Sequence, residues 1–242
     1  MASVKLQGVT LDYHIYNIRA RSLKNAVFNA AVGGKFFKGE SDVVVVRALD
    51  NISFQLNDGD RLGLYGHNGS GKSSMLRVIA GVYPPTRGLR TVDGKISSMI
   101  DIGFGIDPEA SGLENIRHFS LARGVHPKRV EQAIPEIIEF AELGAYIHLP
   151  MRTYSAGMHA RLMFAVATAY DVEVLVLDEW MGAGDASFTG KAQARMKGMV
   201  NSAKIVCFAT HSVRQIREVC NMVLHLEAGK VIYFGPTEGW TR

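Results

Sequence analysis

Apolar and polar residues alternate through Val4, Leu6, Val9, Leu11 and Tyr13, which predicts an edge strand with its turn over residues 3–16. The alternation then breaks. Residues 17–45 intersperse Arg19, Arg21, Lys24, Lys35 and Lys38 with Phe28, Phe36 and Phe37, and the spacing over 18–31 fits a short basic amphipathic helix ahead of Gly33-Gly34. Val43 to Phe54 returns to strand-type alternation, and Asp58-Gly59-Asp60 is a turn. Arg61–Tyr65 then reads as an apolar strand, and Ser74–Ala80 carries apolar residues at helical spacing.

Further on, residues 96–102 predict a strand, and 111–123 and 127–143 predict helices, with Ser111 as N-cap and Pro127 in a first turn. Asp171 to Leu177 is a continuous apolar run of the kind found in buried parallel sheets. Residues 186–202 are helical, 204–209 a strand, 212–220 a helix, and 222–234 a hairpin turning at Glu227-Ala228-Gly229-Lys230. Strands alternating with helices define an α/β fold with a mainly parallel sheet and antiparallel strands at the N-terminus. The helical stretch 104–165 interrupts that alternation and reads as an inserted subdomain of a single domain spanning 1–242.

Composition changes this picture little. The 242 residues are 47% hydrophobic and 21% charged, enough for a substantial core and too apolar for disorder. A net charge of +4 suits ATP, an anionic membrane face or nucleic acid equally. The two cysteines, Cys207 and Cys220, lie in apolar runs and predict buried reduced thiols. Charged and polar residues from Lys5 onward interrupt the N-terminus, so no signal peptide is expected, and no apolar stretch approaches the ~20 residues of a membrane helix. A cytosolic chain is expected, with any membrane spanning done by another.

The chemistry begins at Gly66-His67-Asn68-Gly69-Ser70-Gly71-Lys72-Ser73, a complete G-x-x-x-x-G-K-S phosphate loop between a strand and a helix. Its glycines let successive N–H groups face one anion, and the helix N-terminus, continuing through Ser74, adds its dipole. Lys72 is placed to reach the β- and γ-phosphates and the Ser73 hydroxyl to ligate Mg²⁺. His67 occupies a variable, solvent-facing position of the loop. Downstream, Val174-Leu175-Val176-Leu177-Asp178-Glu179 puts two carboxylates at the carboxyl end of a buried strand, where open α/β sheets bind ligands. Asp178 can hold the magnesium shell through water, and Glu179 can polarise an attacking water. Thr153-Tyr154-Ser155-Ala156-Gly157-Met158 forms a small-residue turn opening a helix that runs to Ala169, with Ser155 as N-cap. Such a helix start is a second phosphate-binding surface, which suggests that two chains share each nucleotide.

At this point the chain resembles an ABC transporter ATPase subunit. Tyr154-Ser155-Ala156-Gly157-Met158 is similar to the family's signature motif, Gly184-Asp185 stands at the place of the D-loop, and Thr210-His211-Ser212 matches the switch histidine. Phe164-Ala165-Val166-Ala167-Thr168, the run Gly182 to Phe188, the run Pro108 to Asn115 and the basic insertion at 17–45 resemble the polysaccharide-export branch, which moves lipid-linked O-antigen, capsule, teichoic acid or galactan across the inner membrane. The resemblance implies a head-to-tail dimer around two MgATP. Gly66 to Ser74 of one copy would hold the phosphates, and Ser155, Ala156 and Gly157 of the other would cover the γ-phosphate. Lys72, Glu179 and His211 are the implied catalytic set, Ser73 and Asp178 the metal set, with Asp185 beside the nucleotide and either Tyr13 or Tyr16 stacking on adenine. A polytopic permease would be the partner at the cytoplasmic face of the inner membrane, with the glycan reached through it and no nucleic acid involved. Some O-antigen members carry a carbohydrate-binding domain after the ATPase, and a chain stopping at Arg242 has no room for one.

The pattern departs from the family in places. No glutamine lies between Gly59 and Glu131, so the Q-loop glutamine is missing, with Asp101 and Asp107 as the nearby polar candidates. Ala156 and Met158 replace the usual glycine and glutamine of the signature. Two rival classes are a non-transporter ABC ATPase, against which the single uninterrupted cassette stands, and a non-catalytic ATP-binding module, against which Lys72, Asp178 and Glu179 stand.

Overall fold

The computed structural model describes residues 1–16, 35–38, 43–100, 105–178 and 186–241. The expected basic helix at 18–31, and Asp101, Glu179 and Asp185, lie outside the described residues. The chain divides into two compact units, one built from 1–96, 173–180 and 204–242, the other from 97–172 and 181–203.

The first unit holds nearly all of two sheets. Strands β1 (Ser3–Tyr16), β2 (Lys35–Lys38), β3 (Val43–Asn57) and β5 (Arg87–Asp93) form an antiparallel sheet in the order β2-β3-β1-β5. Strand β5 is absent from the sequence expectations; it is an edge strand with mostly exposed side chains, Leu89 among them. The second sheet orders β10 (Lys230–Pro236), β9 (Met222–Glu227), β4 (Arg61–Tyr65), β8 (Ile205–Ala209), β7 (Val174–Asp178) and β6 (Ile96–Ser98). Its centre is parallel: β4 pairs with β8 and β9, and β7 with β8. Every residue of β8, and Val174 to Leu177 of β7, is buried. That explains why these strands are continuous apolar runs rather than alternating ones.

Helix α1 (Lys72–Ala80) buries Met75, Leu76, Val78 and Ile79. It packs on β7 and β8 and also meets β3 and β5. Full burial of each such side chain is worth about 1.5–3 kcal/mol, so this one short helix anchors both sheets. It stops at Gly81, which adopts φ 80°, and Arg90 of β5 caps its end by donating twice to the Ile79 carbonyl, at 3.1 and 2.6 Å.

The second unit contains α2 (Gly112–Ala122), α3 (Pro127–Ala141), α4 (Ala156–Ala167) and α5 (Ala186–Ser202). This unit takes in more chain than the 104–165 expected. Ser111 and Glu114 form a capping box at the start of α2. Phe140, Phe164 and Phe188 meet with ring centroids 5.4–6.1 Å apart and tie α3, α4 and α5 together. Lys191 reaches Glu142 at 2.7 Å and Arg195 reaches Glu136 at 2.5 Å along the same seam. Helix α4 ends two residues before the expected Ala169, at a C-cap Thr168 whose hydroxyl donates to the Phe164 carbonyl at 2.7 Å. No described helix is long and apolar enough to cross a membrane.

Candidate nucleotide site

Parallel register brings the site together. Leu64 of β4 stands opposite Ala209 of β8, and Ala209 opposite Asp178 of β7. The phosphate loop after β4, Thr210-His211 after β8 and the Asp178 carboxylate therefore emerge side by side at one sheet edge. The remaining wall comes from Tyr13 of β1 and Val46, Arg47 and Ala48 of β3. Together they enclose a cavity of about 430 Å³, within the range of small-molecule sites.

The loop backbone is shaped by close approach. Gly66 and Gly71 adopt φ 152° and 109°. A Cβ on Gly66 would lie 2.3 Å from the Leu226 carbonyl oxygen and 2.4 Å from Ser70 Oγ. Gly71 precedes α1 with no side-chain cap, so no capping side chain stands between the helix N-terminus and an anion. Lys72 Nζ donates to the carbonyls of Gly66 at 2.7 Å and His67 at 3.0 Å, staying over the loop mouth. His67, Asn68 and Gly69 are exposed, and Ser70 is buried with its hydroxyl lacking any partner among the described residues. Behind the loop, Tyr65 packs edge-on against His225 and Trp240, with centroids 5.1 and 4.9 Å away.

Lys72, Ser73, Ser74, Asp178 and His211 all face the cavity. The Ser73 hydroxyl and Asp178 carboxylate are hard oxygen donors, a partial ligand set of the kind Mg²⁺ completes with substrate phosphates. Thr210 is fixed by donating to Gln215 Oε1 at 2.6 Å and accepting from Ser212 N–H at 3.1 Å, which orients the His211 peptide beside it. Tyr13 lines the cavity; Tyr16 ends β1.

In the second unit, Ser155 caps α4 as expected, accepting from Met158 N–H at 3.2 Å. Ser155 and Ala156 are exposed, and a Cβ on Gly157 would meet only Ser155 Oγ, at 3.8 Å. The helix start is therefore open. Tyr154 buttresses it by donating to the Tyr146 carbonyl at 2.7 Å, and burial raises its phenol above the usual value. Asp107 is committed to a local turn, accepting from Glu109 N–H at 2.9 Å.

Sequence reasoning missed Val46, Arg47 and Ala48 as wall residues, for they carry no motif. Arg47 donates to both Asp12 carboxylate oxygens, at 2.8 and 3.0 Å. This holds the Asp12 carboxyl below its ordinary value and raises the guanidinium.

Strand, phosphate loop, helix and a carboxylate on the neighbouring strand define a P-loop nucleotide-binding protein. The ABC transporter family model matches residues 49–182, and the chain belongs to that family, as an ATPase cassette of it. Over 231 residues it is 45% identical to the O-antigen export system ATP-binding protein RfbE of Yersinia enterocolitica, covering 96% of this chain and 97% of that one. It is 35% identical to the teichoic acids export ATP-binding protein TagH of Staphylococcus haemolyticus, covering 98% and 85%. A dimeric ATP-binding cassette solved in a post-hydrolysis state with ADP and phosphate superposes with a TM-score of 0.66 at 22% identity, over 98% of this chain and all of that one.

Proposed function

We propose that this ATPase drives export of a lipid-linked polysaccharide, of the O-antigen, capsule or teichoic-acid kind, across the inner membrane. It would work peripherally at the cytoplasmic face, bound to a polytopic permease through which the glycan passes, with no nucleic-acid partner. The observation that carries the reading is the convergence of Lys72, Ser73, Asp178, His211 and Tyr13 on one cavity in a chain whose relatives serve glycan export.

Each residue then has a task. Gly66 to Ser74 hold the phosphates through backbone N–H groups, and Lys72 neutralises the β- and γ-oxygens. Ser73, and Asp178 through water, would hold Mg²⁺, which would supply charge neutralisation at the phosphates when bound. Tyr13 stacks on adenine. Glu179 orients the water and accepts its proton, and His211 stabilises the γ-phosphate. Ser155, Ala156 and Gly157 of a second copy complete the site head-to-tail, with Asp185 near the junction. Hydrolysis of this kind is mostly positioning and charge stabilisation.

The test is phosphate release from MgATP by wild type and Glu179→Gln, with size exclusion on both. Turnover by wild type is expected, with an inactive variant that runs as an ATP-dependent dimer. Wild type that stays silent even with its permease supplied points instead to an ATP-binding regulatory module.

A further inference from the structure

Strands β1 and β3 slip by one residue beside the nucleotide cavity. Leu11 pairs with Leu49 and Asp12 with Arg47, which leaves Ala48 without an opposite residue. Such a bulge bends a strand and re-aims its groups, and bulges gather next to active sites. Ala48 lines the cavity, and its carbonyl oxygen fills a glycine-lined socket. A Cβ on Gly71 of the phosphate loop would lie 2.8 Å from that oxygen, and one on Gly229 would lie 2.6 Å from it.

Gly229 sits at the β9–β10 turn with φ 75°. Its N–H donates to the Ser70 carbonyl at 3.0 Å, and its own carbonyl accepts from Asp50 N–H at 2.8 Å. One residue thus links the phosphate loop to β3. The register of the bulge is pinned by the two-pronged Arg47–Asp12 pair, with Arg47 also 3.4 Å from Asp50. Asp12 immediately precedes Tyr13.

We infer that the Ala48 bulge, pinned by Asp12–Arg47 and seated between Gly71 and Gly229, is the spacer that sets the separation between the Tyr13 wall and the phosphate loop. Asp12 and Gly229 are then positioning residues for ATP. The inference rests on the cavity being the ATP site. A ligand held at both ends gains from the second contact only when the two ends stand at the right separation.

The test measures binding of MgATP and of magnesium with inorganic tripolyphosphate to the whole chain by calorimetry, with melting recorded alongside. In Asp12→Ala, ATP should weaken about tenfold while tripolyphosphate changes by less than about twofold, since only the joining of the two ends is lost. Equal weakening of both ligands overturns the spacer and indicates general loosening. Unchanged or tighter ATP binding also overturns it. Should Asp12→Ala not fold, the isosteric Asp12→Asn tests the same split. Wild type that binds ATP no better than tripolyphosphate overturns the ATP-site reading, and the spacer with it.

Discussion

The Tyr13 hydroxyl lies 3.2 Å from the Ser74 hydroxyl, a hydrogen bond tying the end of β1 to the first turn of the helix behind the phosphate loop. Tyr83 meets the same ring edge-on, with centroids 5.6 Å apart and planes at 82°. The Tyr13 ring is therefore held from two sides, by a polar contact at its tip and a ring at its flank.

If Tyr13 stacks on adenine as proposed, Tyr13→Ala removes that surface, and base–aromatic stacking is worth about 1–3 kcal/mol. Its Kd for ATP should rise roughly tenfold or more in titrations with a fluorescent ATP analogue. Tyr13→Phe keeps the ring and loses one hydrogen bond, so its Kd should rise only about two- to fivefold. Tyr16→Ala should bind as wild type does. A larger loss in Tyr16→Ala than in Tyr13→Ala would transfer the stacking role to Tyr16.

Hydrogen bonding to Arg47, opposed by burial and reinforced by the guanidinium charge, holds the Asp12 carboxyl below its ordinary 3.8. A carboxyl with a depressed folded-state pKa contributes stability above its unfolded value, and that contribution is lost as pH falls through the folded value. The gap in melting temperature between wild type and Asp12→Asn should be full at about pH 5 to 7 and close below 3.8. A gap that stays constant down to acid unfolding would remove the charged pair from the account.

Arg90 caps α1 from a strand that the sequence left unseen, closing the Ile79 carbonyl with two donors. Arg90→Ala exposes that carbonyl and should cost about 1–3 kcal/mol in denaturant unfolding. Arg90→Lys, with a single rotatable donor head, should recover part of the loss. An unfolding curve that overlays wild type would show that the cap contributes nothing.

Cys207 and Cys220 are both buried. Burial pushes the Cys220 thiol up to about 12 and the Cys207 thiol well above its usual range. Because the thiolate is the reactive form, neither should react with Ellman's reagent at about pH 8 in the folded protein. Both should react in denaturant, and rapid labelling of the folded chain would contradict their placement in the core.

How much of this was legible in the chain depended on the range of the interaction. The phosphate loop, Asp178 and His211 stood out because each motif is contiguous and sits at a strand end. The parallel strands β7 and β8 are unbroken apolar runs and were visible to within a few residues. Strand β5 was not, since Arg87, Gly88 and Leu89 are exposed and Gly88 takes φ 86°, breaking any alternation. The Arg47–Asp12 pair and the Gly229–Ser70 bond join residues far apart in sequence, and no local periodicity encodes such pairings. Gly229 was legible as a hairpin turn, but its contact with the phosphate loop was not.

A site shared between copies makes a prediction that a self-contained site does not. Lys72→Ala spoils the phosphate loop of its own copy and leaves the signature turn usable. Gly157→Trp does the reverse: a Cβ there meets only Ser155 Oγ, at 3.8 Å, and the bulky ring is placed to obstruct what approaches the turn from outside. Each variant alone should release almost no phosphate. In a head-to-tail dimer of one copy of each, both lesions fall in one site and the other site is intact. Random pairing at equal concentrations makes half of the dimers mixed, each with one good site of two, so about a quarter of wild-type phosphate release should return. The recovery should rise from zero with the fraction of the second variant, peak at equal mixing and fall again. Activity that stays at the sum of the two single variants at every ratio would mean that each copy hydrolyses ATP without the other's Ser155–Gly157 turn.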